Sequence, residues 1–514
     1  MEAEAEGRLS LNELSKRKRD GVYYTPEWVV DLIIDEVVGG KFLELRRKAR
    51  LTEEISEQEA KRYRMGEDTV AEPTHENAYT TSRKGQITKY VNALRVYENY
   101  LQEIRIVDPA CGSGAFLIRA LQKLLEERRW ISTERARITG KGELFDQDAT
   151  IKSLLASNIY GVDINSESVE IARLALWLHT ALPGKPLSTL DHNIRCGNSL
   201  VGKDFFEHRQ EEEVNEEERE RINPFDWEDA FPEVFERKNG GFDCVIGNPP
   251  YVKMQNFRKV LGEVADYLLN AQTSSGEQLY SSAQTGNFDI YVPFIEKGFK
   301  LLRDHGRMGY IAPSVWLRND YGKALRKQIW KDRSLYAFVN FGSFQVFTEA
   351  TTYTALQFFS KTKNSGIEYS TVTAKENVSR NIECPRILYN DLDPQESWNL
   401  SPADEMALIS RLNDQGRPLD STEVTDWISQ GLISGAFWIF ANEKNADGTY
   451  THNDKLKKCS RSIRLDEDVL LQLVSGEDVH EAFLRATAPK PRIDLFHVTS
   501  VKLTVAETVE YLIE

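Results

Sequence analysis

Residues 103–117 read EIRIVDPACGSGAFL, and this stretch decides the fold. A short apolar strand leads into an acid, a turn with two glycines follows, and an amphipathic helix begins directly afterwards. An α/β sheet holds a nucleotide-like ligand with such a turn, at the carboxyl ends of its strands. Gly112 and Gly114 let the backbone approach the ligand, and the start of the helix offers free amide donors. The spacing lacks the three-glycine signature of dinucleotide sites, so the turn alone would also fit a purely structural role.

The next predicted strand, residues 158–164 with the sequence NIYGVDI, also ends in an acid. Because carboxyl ends of parallel strands meet at one edge of a sheet, Asp163 is placed to accept hydrogen bonds from two ribose hydroxyls. Ile164 beside it is placed to cover an adenine face. The glycine turn and this acid together favour a nucleoside-containing ligand over a structural turn.

The tetrapeptide Asn248-Pro249-Pro250-Tyr251 follows a predicted buried strand and is the most specific feature of the sequence. Two consecutive prolines remove two amide donors and fix both φ angles. The rigid loop therefore presents two acceptors, the Asn248 side-chain oxygen and the Pro249 carbonyl. Such a pair suits a planar ring amine, whose lone pair becomes nucleophilic when its two hydrogens are drawn out of the ring plane. Tyr251 offers an aromatic face on which an extruded base can stack.

Strands alternate with helices from about residue 103 to residue 360, which predicts a doubly wound α/β sheet. Before it, Thr25 is predicted to cap a helix with Pro26 at its first position, and Gly39-Gly40 is predicted to end that helix. Residues 41–100 have a largely helical pattern, and residues 252–286 are predicted to be a polar linker. From about residue 402 the pattern changes to short mixed segments, which indicates a second domain.

Length and composition exclude several classes of protein. The chain has 514 residues, 65 Lys and Arg against 80 Asp and Glu, and a formal charge of −15. One core rarely grows to this size, so at least two domains are expected. No apolar stretch reaches the roughly 18 residues of a membrane helix, and the N-terminus does not resemble a signal peptide. We therefore expect no membrane partner. The five cysteines are scattered and none has CxxC spacing, which predicts reduced thiols in a cytoplasmic protein and no metal site; they are Cys111, Cys196, Cys244, Cys384 and Cys459.

The excess of negative over positive charge is confined to two segments. Residues 203–238 carry a net charge of −8, and residues 401–514 carry −7, so the remainder of the chain is neutral. Local patches, and not totals, steer charged partners. The overall charge therefore does not exclude nucleic acid as a partner.

The ordered motifs over roughly residues 15–360 resemble the gamma class of adenine-N6 DNA methyltransferases. These are the TaqI-like enzymes and the methylase portions of type I and type IIG restriction-modification enzymes. The resemblance implies a Rossmann-like, doubly wound mixed sheet of the class I methyltransferase type, S-adenosyl-L-methionine as cofactor and double-stranded DNA as substrate. It also implies a catalytic domain over residues 1–400, with insertions near 41–100 and 203–240. Residues 401–514 resemble the start of a target recognition domain.

The motifs that carry the resemblance imply site residues by position. They are GVYYTPEWVVD (21–31), DPACGSGAFL (108–117), GVDIN (161–165), CGNSL (196–200), NPPY (248–251), IYVPFIEKGFKLL (290–302) and FGSFQVFTEATTYTALQFF (341–359). The implied cofactor-binding residues are Tyr24, Thr25, Asp108, Ala110, Gly112, Gly114, Asp163, Ile164, Asn198 and Phe294. The implied catalytic residues are Asn248, Pro249, Pro250 and Tyr251, and the residues implied to hold the target base are Tyr251 and Phe347.

Two other functions stay open at this point. The same NPPY chemistry occurs in protein-glutamine methyltransferases and in some RNA methyltransferases, and a DNA-binding subunit without activity could retain the fold. Cytosine-N4 enzymes usually carry Ser or Asp in place of Asn248, which favours adenine. The short segment before residue 15 leaves no room for a nuclease, so we expect no cleavage activity from this chain. A restriction or specificity subunit, or a further C-terminal domain, is the expected partner besides DNA.

Overall fold

The chain forms two compact units, residues 1–403 and 404–514, in a computed structural model. The structure describes residues 25–51, 54–66, 83–142, 145–178, 190–206, 216–273, 275–284, 288–342, 344–347, 353–372, 386–398 and 400, and three strands of the second unit. Among these residues, no helix combines the length and the apolar character needed to cross a bilayer.

A nine-stranded sheet organises the first unit. The strands are β1 (Ile106–Asp108), β2 (Ile159–Asp163), β3 (Ile194–Cys196), β4 (Phe242–Gly247), β5 (Leu302–Pro313), β6 (Leu335–Asn340), β7 (Thr354–Ser360), β8 (Gly366–Thr371) and β9 (Arg386–Leu388). Their order across the sheet is β3-β2-β1-β4-β5-β7-β6-β8-β9. The first five strands in this order are parallel, whereas β7 runs antiparallel to both β5 and β6. The predicted mixed, doubly wound sheet is therefore confirmed.

Helices precede and connect the strands. They are α1 (Glu27–Ile34), α2 (Gly40–Lys48), α3 (Glu57–Arg64), α4 (Arg83–Glu103), α5 (Ala115–Thr139), α6 (Gln147–Ser157), α7 (Ser166–Leu178), α8 (Glu216–Ile222), α9 (Trp227–Ala230), α10 (Pro232–Phe235), α11 (Met254–Val260), α12 (Gly262–Asn270), α13 (Tyr291–Leu301) and α14 (Lys323–Asp332). The strand order reverses between β1 and β4, because β2 and β3 lie on one side of β1 whereas β4 and β5 lie on the other. Such a reversal opens a crevice at the carboxyl ends of the strands.

Alternate residues of the strands face two different layers of helices. Ile246 and Ile311 belong to one large apolar cluster with buried residues of α1, α4, α5 and α6. On the opposite face, α13 lies so close to β5 that a Cβ at Gly298 would be 2.5 Å from the Tyr310 hydroxyl oxygen. Because helices cover both faces, every residue of β4 is buried, and not only alternate ones.

The opening helix differs from its prediction at both ends. It begins at Glu27, and Thr25 does not cap it. It also does not end at Gly39-Gly40, because a π-helical turn, Asp35–Gly39, joins α1 to α2 and the helix continues to Lys48. Both glycines keep right-handed helical angles. A Cβ at Gly40 would be 2.7 Å from the Arg307 guanidinium, so this glycine makes room for a side chain and does not end the helix.

The segment 252–286 was wrongly predicted to be a linker, since it contains α11 and α12. Its helices are held by buried apolar residues, including Met254 and Leu268, which a polar average conceals. Helices α2, α3 and α4 confirm the helical pattern of residues 41–100. The acidic residues 203–238 contain α8, α9 and α10 within their described part. In the second unit, β10 (Asn442–Lys444), β11 (Tyr450–Asp454) and β12 (Cys459–Ile463) form a three-stranded antiparallel sheet.

Candidate functional site

The glycine turn after β1 is tied to the acid at the end of β2. The Gly112 amide donates to Asp163 Oδ2 over 2.8 Å, and the Asn165 amide donates to the other oxygen over 2.9 Å. At the end of β1, the Ala110 amide donates to Asp108 Oδ1 over 3.0 Å. The second oxygen of Asp108 is buried and has no hydrogen-bond partner among the described residues. The two strand-ending acids thus lie on the same rim of the sheet, one of them with an unused acceptor.

Burial governs the ionisation of both acids. Burial raises the pKa of Asp108 to about 8. The hydrogen bond from the Ala110 amide lowers this pKa, and the negative charge of Asp163 raises it further. The pKa of Asp163 is also raised by burial, and the amides of Asn165 and Gly112 counteract this. Such strongly perturbed groups in a cleft are characteristic of functional sites. A cationic ligand would stabilise the charged form of either acid.

Gly247, the last residue of β4, brings the tetrapeptide against Asp108. Its φ is +151°, and a Cβ there would be 2.5 Å from Asp108 Oδ1. A side chain at this position would be both strained and overlapping. The catalytic candidate and the acid of the glycine turn are therefore adjacent because this residue has no side chain.

We expect Gly247→Ala to lower the free energy of unfolding of the first unit by about 2–3 kcal/mol, because the added methyl combines backbone strain with a clash against a buried carboxyl. The urea midpoint, followed by circular dichroism, measures the loss. Gly262→Ala is the matched control, since no atom lies within 4 Å of a Cβ at that helix start. Equal midpoints for the two variants would contradict the prediction.

The Asn248 side chain is held by a residue from the far end of the sequence. Its Nδ2 donates to Thr25 Oγ1 over 3.1 Å. Its Oδ1 is buried and has no partner among the described residues. Pro249 and Pro250 follow and have no amide hydrogens that could reach this oxygen. The amide thus has its donor side engaged and its acceptor side available.

Aromatic side chains surround Tyr251. Its hydroxyl donates to the carbonyl oxygen of Ile311 on β5 over 2.9 Å. The rings of Tyr291 and Phe347 meet it edge-on, at centroid distances of 6.3 Å and 6.1 Å. Phe347 and Tyr251 therefore lie together, as the motifs implied. Tyr291 was missed, because at the start of an apolar helix its sequence signal does not differ from that of a core residue.

The remaining predicted positions lie as follows. Asn198, after β3, accepts from the Leu200 amide over 3.2 Å and is mostly buried. Ile164 directly follows β2 and is 48% exposed, so its side chain can cover a ligand. Phe294 is only 8% exposed on α13, and no described contact joins it to the other candidates. Tyr24 lies outside the described residues.

The strand order, the glycine turn, the two strand-ending acids and the NPPY loop define a class I methyltransferase fold. Residues 157–347 match the protein family described as Eco57I restriction-modification methylase. Residues 92–181 match the family described as RMKL-like, methyltransferase domain. The resemblance that the motifs indicated is thereby confirmed: the matched region is similar to restriction-modification methylases.

Several curated proteins are similar to parts of the chain. The type II restriction enzyme and methyltransferase RM.Eco57I of Escherichia coli is 29% identical over 59% of this chain and 29% of its own length. The type II methyltransferase M.PaeR7I of Pseudomonas aeruginosa is 30% identical over 34% of this chain and 31% of its own length. The adenine-specific methyltransferase PglX of Streptomyces coelicolor is 26% identical over 44% of this chain and 18% of its own length. The chain thus spans about a third or less of the length of these relatives.

Proposed function

We propose that this chain transfers the methyl group of S-adenosyl-L-methionine to N6 of an adenine flipped out of duplex DNA. We further propose that it does so in the cytoplasm as part of a restriction-modification or related phage-defence system. The observation that carries the proposal is the Asn248 amide oxygen, which is buried and unpartnered among the described residues and lies in the same tetrapeptide as Tyr251. The names of the similar proteins, which include adenine-specific and type II methyltransferases, support the same reaction.

The residues at the strand ends fit this cofactor. Asp163 has the place and chemistry to accept from ribose hydroxyls, with Ile164 exposed beside it to cover the adenine. A Cβ at Gly112 would meet no atom within 4 Å, so the turn leaves open space against the backbone. The orphaned oxygen of Asp108 suits a cationic amino-acid portion, and Ala110, Gly114, Asn198, Tyr24 and Phe294 complete the proposed set.

The proposed mechanism assigns each catalytic residue a separate task. S-adenosyl-L-methionine supplies an electrophilic methyl group when it is bound. Asn248 Oδ1 and the Pro249 carbonyl accept hydrogen bonds from the two N–H groups of the target amine. These bonds draw the hydrogens out of the ring plane, which makes the nitrogen lone pair available. Pro250 keeps the loop rigid and free of competing donors. Tyr251 stacks on the extruded base, and Phe347 packs against Tyr251 to hold that ring in place.

The proposed function is tested by incubating the chain with tritiated S-adenosyl-L-methionine and a mixture of unmethylated plasmid duplexes. Modified positions are then mapped by sequencing, with mixed RNA and denatured protein extract as parallel acceptors. Label on adenine in DNA supports the proposal. Label only on protein or RNA would assign the same chemistry to another substrate. Binding of S-adenosylhomocysteine and of DNA, without transfer to any acceptor, would indicate an inactive subunit or one that requires a partner.

We expect cofactor affinity to rise with pH. The pKa of Asp108 lies at about 8 in the free protein, so its carboxyl is protonated at pH 6–7, and a cationic ligand must displace that proton. The association constant should therefore rise about tenfold per pH unit up to pH 8 and then level off. Titration calorimetry in two buffers of different ionisation enthalpy measures the released proton. Asp108→Asn should abolish both the slope and the proton release, and an unchanged slope would contradict this assignment.

Asp108 should affect the stability of the ligand-free protein in the opposite direction. Its pKa is raised from 3.8 to about 8 on folding, so the unfolded chain ionises at a lower pH than the folded protein does. Its contribution is fully present below pH 3.8 and is lost as the pH rises to 8. As the pH rises towards 8, the affinity for the cofactor should therefore increase while the stability of the ligand-free protein decreases.

A further inference from the structure

We propose that Thr25 is a positioning residue for Asn248, in addition to its implied place near the cofactor. This inference rests on the proposed function, because it concerns the orientation of the amide that accepts the target hydrogens. The contact that carries it joins Asn248 Nδ2 to Thr25 Oγ1 over 3.1 Å. The two residues are 223 positions apart in the sequence, so only the folded chain brings them together.

An unrestrained asparagine amide presents two nearly isosteric ends. If it rotates by 180°, the NH₂ group takes the place of the oxygen, and a donor then faces the amine that should be donating. Pro249 restricts the backbone of Asn248, because the residue before a proline is confined to extended conformations. The side-chain torsions are the remaining freedom. The bond to Thr25 restricts them, and in this arrangement Oδ1 is the end of the amide that has no partner among the described residues.

Thr25 is itself held in a fixed position. Its side chain is buried, with 7% of the residue exposed, and Pro26 follows it with a φ of −57°. The amides of Val29 and Val30 donate to the Pro26 carbonyl, and both valines lie in the apolar core. The hydroxyl is therefore attached to the start of a rigid helix. A site residue positioned by a rigid element has less freedom to move than one positioned by another loop.

A double-mutant cycle tests this assignment. Thr25→Val keeps the shape and removes the acceptor, whereas Thr25→Ser keeps the hydroxyl. We expect Thr25→Val to lower the single-turnover rate of methyl transfer at saturating S-adenosyl-L-methionine by about 30-fold, because misplacement of a reacting group by less than an ångström has effects of this order. Thr25→Ser should stay within about threefold of the parent chain, because the hydrogen bond is retained. In an Asn248→Ala background, Thr25→Val should cause no additional loss.

Two outcomes of the rate and affinity measurements would overturn the assignment. The first is an effect of Thr25→Val confined to the Kd for S-adenosylhomocysteine, measured by calorimetry, because that would make Thr25 a cofactor contact only. The second is a full multiplicative loss in the double variant. Thr88→Val is the matched control, since this exposed threonine bonds to the Lys84 carbonyl within α4 and should leave the rate unchanged.

A crystal structure of Thr25→Val separates this inference from the proposed function. If the parent chain methylates no duplex DNA, the proposed function is wrong. The orientation of the Asn248 amide in the Thr25→Val structure still shows whether Thr25 positions it. We expect the Asn248 amide to leave its parent orientation in the valine variant and to retain it in Thr25→Ser. An amide that stays in place in Thr25→Val would overturn the inference, whatever the activity.

Discussion

Asn248→Ala is expected to lower the single-turnover rate of methyl transfer to DNA by about 100- to 1,000-fold, which is the effect of removing one preorganised group that acts in the transition state. The amide oxygen is buried without a partner among the described residues, so no other donor competes with the target amine for it. The Kd for S-adenosylhomocysteine should stay within about twofold of the parent value, because an interaction realised only in the transition state does not contribute to ground-state binding.

Rapid-quench measurements with tritiated S-adenosyl-L-methionine and plasmid DNA provide the rate, and calorimetry provides the affinity. Asn270→Ala is the matched control, because that exposed side chain donates to the Asp266 carbonyl of its own helix. A rate for Asn248→Ala within threefold of the control would show that the amide is dispensable. A large loss of cofactor affinity instead would place Asn248 in the cofactor site.

Asp163→Ala is expected to weaken cofactor binding by about 100-fold or more, because two hydrogen bonds to a charged carboxylate are lost and each contributes roughly 1.5–3 kcal/mol. The substitution also frees the Gly112 and Asn165 amides, so the glycine turn keeps the hydrogen bond from the Cys111 amide to the Val162 carbonyl of β2 but loses the one to Asp163. Saturating cofactor should restore most of the rate, in contrast to Asn248→Ala. Titration calorimetry with S-adenosylhomocysteine measures the affinity.

Asp191→Ala is the control for this second experiment. Asp191 is exposed and pairs with Arg173 over 3.1 Å, outside the strand-end rim. It should leave the affinity unchanged. If Asp163→Ala bound the cofactor as tightly as this control, the strand-ending acid would have only a structural role in the turn.

The parallel part of the sheet was predictable from the sequence because its signals are local. Each of β1, β2 and β4 is a short, largely apolar and buried run that leads into a distinctive group, and parallel strands place those ends on one edge. The same logic placed Asp108, Asp163 and Asn248 together.

The features that sequence reasoning missed depend on partners far away in the chain. The helix continues past Gly39-Gly40 because its buried face continues, and because Arg307 occupies the space beside Gly40. Thr25 looked like a helix cap because its pattern fits one, and the structure instead pairs it with Asn248. Helix-start propensity cannot reveal a partner 223 residues downstream. The antiparallel placement of β7 between β5 and β6 was likewise beyond the reach of any local window.

The position of β4 in the sheet has a consequence for how the chain folds. β1 pairs with β2, which follows after about 50 residues, and with β4, which follows after about 135 residues. During synthesis β1 and β2 are complete long before residues 242–247 leave the ribosome, so one edge of β1 has no partner for that interval. Pairings of such long range slow folding, and open strand edges promote aggregation. Folding of this domain should therefore be limited by the arrival of β4, and nascent chains that end before residue 242 should be the species that aggregate.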